Sequence, residues 1–401
     1  MSLLNDIRVL DLSRILAGPW ASQLLADYGA EVIKIEKPGE GDDTRRWGPP
    51  YLKNAQGDDT TESAYYLAAN RGKHSVTIDF TQAAGQALIR ELVSISDVLI
   101  ENYKVGGLSQ YGLDYASLSA LNPRLIYCSI TGFGQTGPYA QQAGYDAMIQ
   151  AMGGLMSITG DNSGQPQKVG VAVVDLMAGM YASNAILAAL HQRQRTGIGQ
   201  HLDVALLDTQ VAWLANQALN YLVSDEIPQR QGTAHPNIVP YQAMPAADGY
   251  FMLAIGNDRQ FQQFCGLAEC TSLAEDPRFM TNAARVQHRE ALIALLQIQT
   301  RKKNVAEWLM LLQNHHVPAG PINNLQQVFA DPQVQHRGLQ QSLAHIHGTV
   351  PQVLQPVKFS AANAQSQKAP PTLGEDTDGV LRRLLAKKNE TLLELHQQGV
   401  L

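Results

Sequence analysis

The sequence predicts an α/β protein whose large domain is built around a doubly wound, Rossmann-like parallel sheet. Short apolar segments alternate with helical patterns through the first half of the 401-residue chain. The first of them is followed by a turn and a helix, as at the start of a βαβ unit. The central part of the chain has a different texture, with a hairpin and successive helices. That change predicts a second, smaller α+β domain.

Strands of the large domain are predicted from short apolar runs bounded by Gly, Pro or charged residues. These runs lie at 7–11, 31–36, 75–80, 98–101, 125–130 and 201–206. Apolar periodicity predicts helices at about 19–29, 83–96 and 176–193, and another that ends near residue 222. Such alternation is typical of parallel strands joined by crossover helices.

The small domain is predicted to begin after a polar segment at 224–240 that contains Gly and Pro. Asp248-Gly249 is a tight-turn signal between two apolar runs, so 241–256 is predicted to form a hairpin. Helices are expected at about 258–267, 287–299 and 304–314, a return crossing at Pro318–Pro321, and a terminal helix at 389–398. We therefore divide the chain into 1–223 (large domain), 224–330 (small domain with linkers) and 331–401 (return to the large domain).

Composition indicates a well-buried globular protein, with 45% hydrophobic and 16% charged residues. The net charge of −6 argues against a nucleic-acid partner. Cys128, Cys265 and Cys270 have neither metal-ligand spacing nor a disulfide framework, which fits a reducing compartment. Neither a signal peptide nor a membrane span is predicted, so we expect a cytoplasmic protein. His74, His201 and His235 have no partner at metal-ligand spacing, so no metal is expected.

Asp175 is the charged residue of an otherwise uncharged run at 169–181. Because an unpaired buried carboxylate is costly, this position indicates either a helix cap or chemistry. Local sequence alone favours a structural N-cap for the helix at 176–193, since Asp is a preferred capping residue. The two roles are compatible, because a helix N-terminus also orients a nucleophilic carboxylate.

Loops at the predicted strand ends carry cations and glycines, where open α/β sheets bind ligands. The cations are Lys37, Arg45, Arg46, Arg71 and Lys73. They suit a phosphate- or carboxylate-rich ligand. Gly132, Gly134 and Gly137 would let the backbone approach that ligand closely. A dinucleotide site is disfavoured, because the first turn has Ala17-Gly18-Pro19 instead of Gly-x-Gly-x-x-Gly.

Together these segments resemble the class III CoA-transferases. The resemblance extends over essentially the whole chain, and its motifs occur in family order. They are Asp11 through Pro19, Glu31-Val-Ile-Lys-Ile-Glu36, Gly41-Asp-x-Thr-Arg45, Asn70-Arg-x-Lys73, Glu101-Asn-Tyr103, the glycine loop at 131–138 and Val174-Asp-Leu-Met-Ala-Gly179. Further segments, among them 41–50 and Ile238-Val-Pro-Tyr-Gln-Ala243, resemble the branch that acts on succinate and hydroxymethylglutarate. That likeness implies dicarboxylic acyl groups, with succinyl-CoA as donor.

The resemblance implies that Asp175 is the nucleophile and forms an aspartyl anhydride and an aspartyl-CoA thioester. Coenzyme A, bound as acyl-CoA substrate, would be contacted by Leu16, Ala17, Lys37, Arg71, Gly72, Lys73, Asn102, Tyr103, Thr131, Gly132, Phe133 and Gly134. The acid would be contacted by Tyr65, Tyr145, Gly256 and Asn257, and we hypothesise that Arg45 or Arg46 holds its distal carboxylate. The family fold implies ring-like subunits that interlock as a homodimer.

Two alternatives remain open at the level of sequence. The related α-methylacyl-CoA racemases have a histidine in a Gly-His-Asp motif, where this chain has Gly144-Tyr145-Asp146. Without that histidine one acid/base group is missing, so a racemase ranks below a transferase. A non-catalytic CoA-binding protein is the second alternative. Leu16 and Gln110 replace a glutamine and an arginine of formyl-CoA transferase, which disfavours formyl or oxalyl substrates.

Overall fold

The computed structural model describes residues 3–362, 364 and 366–401. It contains two compact units. The larger unit comprises the chain up to Leu155, Val169–Leu219 and Gln333–Leu401; the smaller comprises Met156–Lys168 and Asn220–Pro332. The sequence had placed 156–168 in the large domain. Backbone hydrogen bonding within the smaller unit, from the Gly232 amide to the Gly160 carbonyl at 3.0 Å, explains its different grouping.

Six parallel strands form the central sheet of the larger unit, as the sequence predicted. They are β1 Arg8–Asp11, β2 Glu31–Glu36, β5 Lys73–Thr77, β6 Val98–Glu101, β7 Ile126–Thr131 and β8 Gln200–Ala205, while β3 Tyr51–Lys53 and β4 Asp59–Ser63 form a separate hairpin. The spatial order is β5-β2-β1-β6-β7-β8. Strand order therefore reverses between β1 and β6, and such a switch point is where doubly wound sheets bind ligands.

Helices of the larger unit cover both faces of this sheet. They are α1 Ala17–Asp27, α2 Ala64–Ala69, α3 Ala83–Ser94, α4 Tyr115–Leu121, α5 Asp146–Met152, α7 Val173–Thr196 and α8 Leu206–Ala212; α6 Leu155–Ile158 and α9 Ala215–Ser224 cross the unit boundaries. On one face α1 and α7 bury Leu25, Ala178 and Ile186 against Val9 and Ile126. On the other face, α3 and α4 pack over Leu10, Ile33 and Leu99.

The C-terminal segment returns to the larger unit. It contains α16 Pro332–His336, the hairpin β12 Gln340–His345 and β13 Gly348–Val353, and helices α17 Thr377–Leu385 and α18 Asn389–Gln397. Leu381 of α17 and Leu392 of α18 are buried in the same core as Leu10 of β1. Of these elements, only α18 is predicted from the sequence.

The smaller unit is an antiparallel sheet covered by helices. Its elements are β9 Tyr241–Pro245, β10 Tyr250–Ala254, α10 Asp258–Leu267, α11 Ser272–Glu275, α12 Asn282–Gln287, α13 Arg289–Thr300, α14 Val305–Asn314, β11 Ala319–Pro321 and α15 Leu325–Ala330. Phe251, Phe264 and Trp308 lie at the centre of its core. The segment Pro318–Pro321, predicted as a return crossing, instead supplies β11, the third strand of this sheet.

Helix α7 is long and apolar enough to cross a membrane by length and composition, with a mean hydropathy of 1.5 over its most apolar 18 residues. It packs against α1 in the core of the larger unit, and 44% of that window is buried. These features fit the core helix of a globular protein.

Candidate active site

A cavity of about 270 Å³ lies beyond the carboxyl ends of β1 and β6, at the point where strand order reverses. The loop after β1, the loop after β6 and the segment before α5 form most of its wall. These segments contribute Arg14, Ile15, Leu16, Ala17, Asn102, Tyr103, Lys104, Val105, Ala140, Gln142, Ala143, Gly144, Tyr145 and Asp146. Asp175 of α7 lines the same cavity. The parallel sheet thus brings together residues that are separated by more than half of the larger unit's sequence.

Asp175 is the third residue of α7, and Ala172 occupies the N-cap position. The backbone N–H of Val174 instead donates to the carboxylate of Asp146 at 2.8 Å. The prediction that Asp175 caps this helix is therefore wrong, because α7 begins earlier than the sequence indicated. Asp146, which is not among the site residues predicted from the sequence, accepts this hydrogen bond at the helix start, and Asp175 lines the cavity.

The carboxylate of Asp175 has an unusual environment. Burial, reinforced by the negative charge of Asp146, raises the pKa of Asp175 to about 7. Asp146 is held in place by two hydrogen bonds, one from Val174 and one from the Gln150 side-chain amide at 2.7 Å. A carboxylate with a raised pKa is a stronger base, and at neutral pH a substantial fraction remains ionised and able to attack a carbonyl.

The charge of Asp175 affects the pKa of Tyr65, which lies on α2. Burial, followed by the negative charges of Asp175 and Asp146, raises the pKa of the Tyr65 phenol. The hydroxyl therefore stays protonated at physiological pH and can donate a hydrogen bond. Its ring packs edge-on against Trp47, with ring centroids 5.1 Å apart. Tyr65 therefore lies within electrostatic range of Asp175, although it is not among the residues that line the cavity.

Two glycines, Gly132 and Gly144, allow two segments of the cavity wall to pack closely against each other. A Cβ atom on Gly144 would lie 2.3 Å from the Cα of Gly132, and one on Gly132 would lie 2.5 Å from the Cα of Gly144. Both distances are far below van der Waals contact, so only glycine fits at either position. This contact joins the end of β7 to the segment that leads to Asp146.

A second cavity of about 420 Å³ shares Arg14, Tyr103 and Lys104 with the first. Lys37 and Arg46 line it, and both pair with Glu40, Arg46 at 3.8 Å. The two cavities therefore adjoin each other beyond the ends of β2, β1 and β6. The exposed cations that line the two cavities are Arg14, Lys37, Arg46 and Lys104, whereas Lys34 lines the second cavity but is buried. Neither Arg14 nor Lys104 was selected from the sequence.

The hypothesis that Arg45 holds a substrate carboxylate needs correction. Its guanidinium is buried and makes two bonds to Glu36, at 2.8 and 2.9 Å, and one to Glu62 at 2.9 Å. It also donates to the Tyr66 hydroxyl at 2.6 Å. Since its donors are committed within the core, Arg45 stabilises the fold, whereas Arg46 is exposed beside the second cavity.

Arg71 and Lys73, predicted to contact CoA, are also buried. Arg71 pairs with Asp27 at 2.6 Å, and Lys73 pairs with Asp11 at 3.1 Å. Burial lowers the pKa of Lys73 to about 8, against the opposing effect of Asp11. These side chains therefore support the sheet from within, and the structure does not bring them to either cavity. Gly72 lies between them with a φ of +81°.

Some of the remaining predicted residues line the two cavities, and the others lie elsewhere. Leu16, Ala17, Asn102, Tyr103, Thr131, Gly132 and Tyr145 line the first cavity, and Lys37 and Tyr103 line the second. Phe133 packs edge-on against Tyr139 at 5.4 Å, and Gly134 lies next to Asp203. Gly256 and Asn257 belong to the smaller unit, where Asn257 caps α10 by accepting the Gln260 amide hydrogen bond at 2.9 Å.

The chain is similar to known proteins over most of its length. The family described as CoA-transferase family III matches residues 4–377. A succinate–glutarate CoA-transferase of Agrobacterium fabrum is 52% identical over 382 residues, which cover 95% of each chain. The human succinyl-CoA:glutarate CoA-transferase is 44% identical over 400 residues, 99% of this chain and 89% of the human one.

Solved structures extend the agreement to the fold. A crystal structure of a CaiB/BaiF family protein from Brucella suis superposes with a TM-score of 0.84 at 50% identity. It covers 95% of this chain and 98% of its own. A match of this extent in sequence, together with a shared fold, shows that the chain belongs to CoA-transferase family III.

Proposed function

We propose that this enzyme transfers CoA from succinyl-CoA to glutarate or a closely related dicarboxylate such as hydroxymethylglutarate or itaconate, through covalent intermediates on Asp175. The observation that carries the proposal is the position of Asp175: a carboxylate with a raised pKa at the switch-point cavity of a CoA-transferase fold. Relatives at 44–52% identity are named for succinate and glutarate, which supports this choice of substrates.

In the first half-reaction, a carboxylate oxygen of Asp175 attacks the thioester carbonyl of succinyl-CoA. The carbon–sulfur bond breaks, and an aspartyl succinyl anhydride and the CoA thiolate form. The thiolate then attacks the Asp175 carbonyl of the anhydride, which releases succinate and leaves an aspartyl-CoA thioester. Each step exchanges one activated acyl bond for another of similar energy, so the reaction needs no external energy source.

In the second half-reaction, a carboxylate oxygen of the acceptor attacks the carbonyl of the aspartyl-CoA thioester. An aspartyl acyl anhydride forms, and the CoA thiolate leaves again. The thiolate attacks the acceptor's carbonyl carbon, producing the new acyl-CoA and regenerating the Asp175 carboxylate. Water must be kept from both intermediates, and the apolar side chains of Ile130 and Leu206 at the cavity support that requirement.

Two helix N-termini support stabilisation of the negative charge that develops on the attacked carbonyl oxygen. Helix α1 begins at Ala17, which lines the cavity, and α7 begins two residues before Asp175. Leu16 occupies the N-cap of α1, and its apolar side chain cannot accept the amide hydrogens of the first turn. Those amides and the positive ends of both helix dipoles favour an oxyanion in the cavity.

The size and exposed cations of the second cavity support binding of the nucleotide end of CoA there. We propose that Arg14, Lys37, Arg46 and Lys104 neutralise its phosphates, with Tyr103 between the two cavities. Lys37 and Arg46 would exchange Glu40 for phosphate oxygens when CoA binds. Tyr65 and Tyr145 are proposed to contact the acid near Asp175.

We also propose that the enzyme is a homodimer in the cytoplasm. Exposed apolar side chains on α5, α7 and α8 support burial of this face by a second copy of the chain. They are Met148, Met152, Met180, Tyr181 and Val211. The three cysteines are free thiols, which is compatible with a reducing compartment.

Incubation of the purified protein with succinyl-CoA and a panel of mono- and dicarboxylates tests the proposal. We expect new CoA esters, identified by mass, with glutarate and its analogues. Failure to exchange with any carboxylate would exclude a transferase. Incorporation of deuterium at an α-carbon without acyl exchange would instead indicate a racemase.

Variants test the role of Asp175 in the same assay. We expect Asp175→Ala to keep the fold and lose exchange, whereas Asp208→Ala, which removes an exposed carboxylate of α8, should retain it. Hydroxylamine added during turnover should convert Asp175 to a hydroxamate in the peptide 169–181. Near-normal exchange by Asp175→Ala would show that another group is the nucleophile.

A further inference from the structure

The loop between β1 and α1 contains a strained residue. Ile15 has a φ of +73°, in the left-handed region that β-branched residues rarely adopt. Such a conformation persists only where the surrounding structure imposes it, and it is frequent at functional sites. Leu16 and Ala17, the next two residues, line the cavity together with Asp175.

Asp42 holds this residue. Both of its carboxylate oxygens accept the backbone N–H of Ile15 at 3.2 Å. The Lys34 ammonium fixes Asp42 at 2.8 Å and also donates to the carbonyl oxygen of Ser13 at 2.9 Å. The side chains of Lys34 and Asp42 are 1% and 0% exposed, so this ion pair is part of the core.

Asn102, at the end of β6, holds the residue before Ile15. Its side-chain oxygen accepts the Arg14 N–H at 2.9 Å, and its amide nitrogen donates to the Arg14 carbonyl at 2.7 Å. Three consecutive residues of the loop are therefore fixed from two sides. The side chain of Asn102, expected to contact CoA, is committed to this backbone contact.

We propose that Asp42 is a positioning residue: by holding Ile15 in its left-handed conformation, it fixes the backbone of Leu16 and Ala17 against Asp175 and the reacting carbonyl. The proposal rests on the proposed function, because it assigns the N-terminus of α1 to stabilisation of the oxyanion. A misplacement of about 1 Å at such a site can cost about two orders of magnitude in rate. The strain at Ile15 means that the loop has a relaxed alternative once Asp42 no longer holds it.

A double-mutant cycle tests the proposal. Asp42→Asn keeps the size of the side chain but leaves one acceptor oxygen, which cannot serve the Ile15 N–H, the Lys34 ammonium and Thr44 together. We expect kcat to fall at least about tenfold with a smaller change in the KM of glutarate. Glycine adopts positive φ without strain. Adding Ile15→Gly to Asp42→Asn should therefore restore most of the lost kcat. Ile198→Gly is the matched control, because Ile198 is an exposed isoleucine in a loop, and it should restore nothing.

Equal effects of the two glycine substitutions would overturn the proposal, as would a loss of activity in Asp42→Asn that only follows its folded fraction. If Asp42→Asn does not fold, Asn102→Ala releases the loop from its solvent-accessible side. We then expect faster hydrogen exchange in a peptide spanning residues 13–18, and unchanged exchange there would contradict the proposal. This measurement uses no substrate, so its outcome is separate from that of the transferase assay.

Discussion

Asp146 of α5 affects Asp175 of α7 in two ways, through a hydrogen bond to the start of α7 and through its negative charge. Asp146 accepts the Val174 N–H, which fixes the first turn of α7 and hence the position of Asp175. Its negative charge also contributes, after burial, to the raised pKa of Asp175. Asp146 thus orients Asp175, the proposed nucleophile, and contributes to its raised pKa, and both effects can be measured separately.

The first prediction concerns the pH dependence of the reaction. Asp175 must be ionised to attack, so kcat/KM should fall as the pH drops below about 7. Asp146→Asn keeps an acceptor for Val174 and removes the charge, so the acidic limb should move to lower pH. Asp208→Asn, at an exposed position of α8, is the control and should leave the limb in place. An unchanged limb in Asp146→Asn would mean that Asp146 does not set the pKa of Asp175.

The same raised pKa predicts a dependence of stability on pH. Because the pKa of Asp175 in the folded protein is above 3.8, the usual value of an aspartate, the folded state binds this proton more tightly than the unfolded state. The contribution to the free energy of unfolding is therefore complete at low pH and is lost as the pH rises towards about 7. Asp175→Asn should raise the Tm at pH 8 more than at pH 5. An equal change at both values would contradict the assignment.

Arg45 and Arg46 give opposite predictions although they are neighbours in sequence. Arg45→Ala leaves the buried carboxylates of Glu36 and Glu62 uncompensated, so we expect a loss of about 3–5 kcal/mol in the free energy of unfolding. Arg46→Ala removes a side chain that is 64% exposed and should change stability by less than about 0.5 kcal/mol. Urea denaturation measures both, and similar losses would contradict the burial of Arg45.

At the scale of elements, the packing of α1 on α7 sets the geometry of the cavity. Ala17 begins α1, Asp175 lies in the first turn of α7, and Gly179 lies one turn further along α7. A Cβ atom on Gly179 would lie 2.6 Å from the Ala17 carbonyl oxygen and 3.1 Å from the Trp20 side chain. The glycine therefore allows the two helices to approach closely at the site.

Gly179→Ala should consequently push the start of α1 away from α7. We expect a loss of about 1–3 kcal/mol in stability from overpacking against backbone, and a fall in kcat among molecules that remain folded. The matched control is Gly266→Ala in α10 of the smaller unit, where the described neighbours leave the added methyl group open space. Normal kcat in folded Gly179→Ala would show that the spacing of α1 and α7 does not limit the reaction.

Elements of the central sheet could be predicted because each buried parallel strand is a short apolar run with clear boundaries. The site was harder to predict for a physical reason. Lys73 and Arg71 are as charged in sequence as Lys37, but their partners, Asp11 and Asp27, come from distant positions and become neighbours only in the fold. Sequence shows where charges are, whereas burial decides whether they bind a ligand or stabilise the core.

At the scale of the whole molecule, burial also decides the role of apolar residues, and the sequence alone does not show which of them are buried. The patterning of α7 predicts a core helix, and Ala178 and Ile186 are indeed buried. Met180 and Tyr181 on the same helix are exposed in the single chain, as is Val211 of α8. Periodicity alone cannot distinguish a face that packs within one chain from a face that packs against a second copy.

We therefore predict that the protein is a homodimer in solution whose subunits exchange very slowly. Light scattering after gel filtration should give twice the mass of the chain at all accessible concentrations. If the subunits interlock, mixing tagged and untagged dimers should yield mixed dimers only after unfolding and refolding, because separation would require the chains to open. Mixed dimers that form within minutes under native conditions would exclude interlocking while retaining the dimer. A monomer at micromolar concentration would instead mean that the apolar face of α7 and α8 stays exposed to solvent, which its composition makes unfavourable.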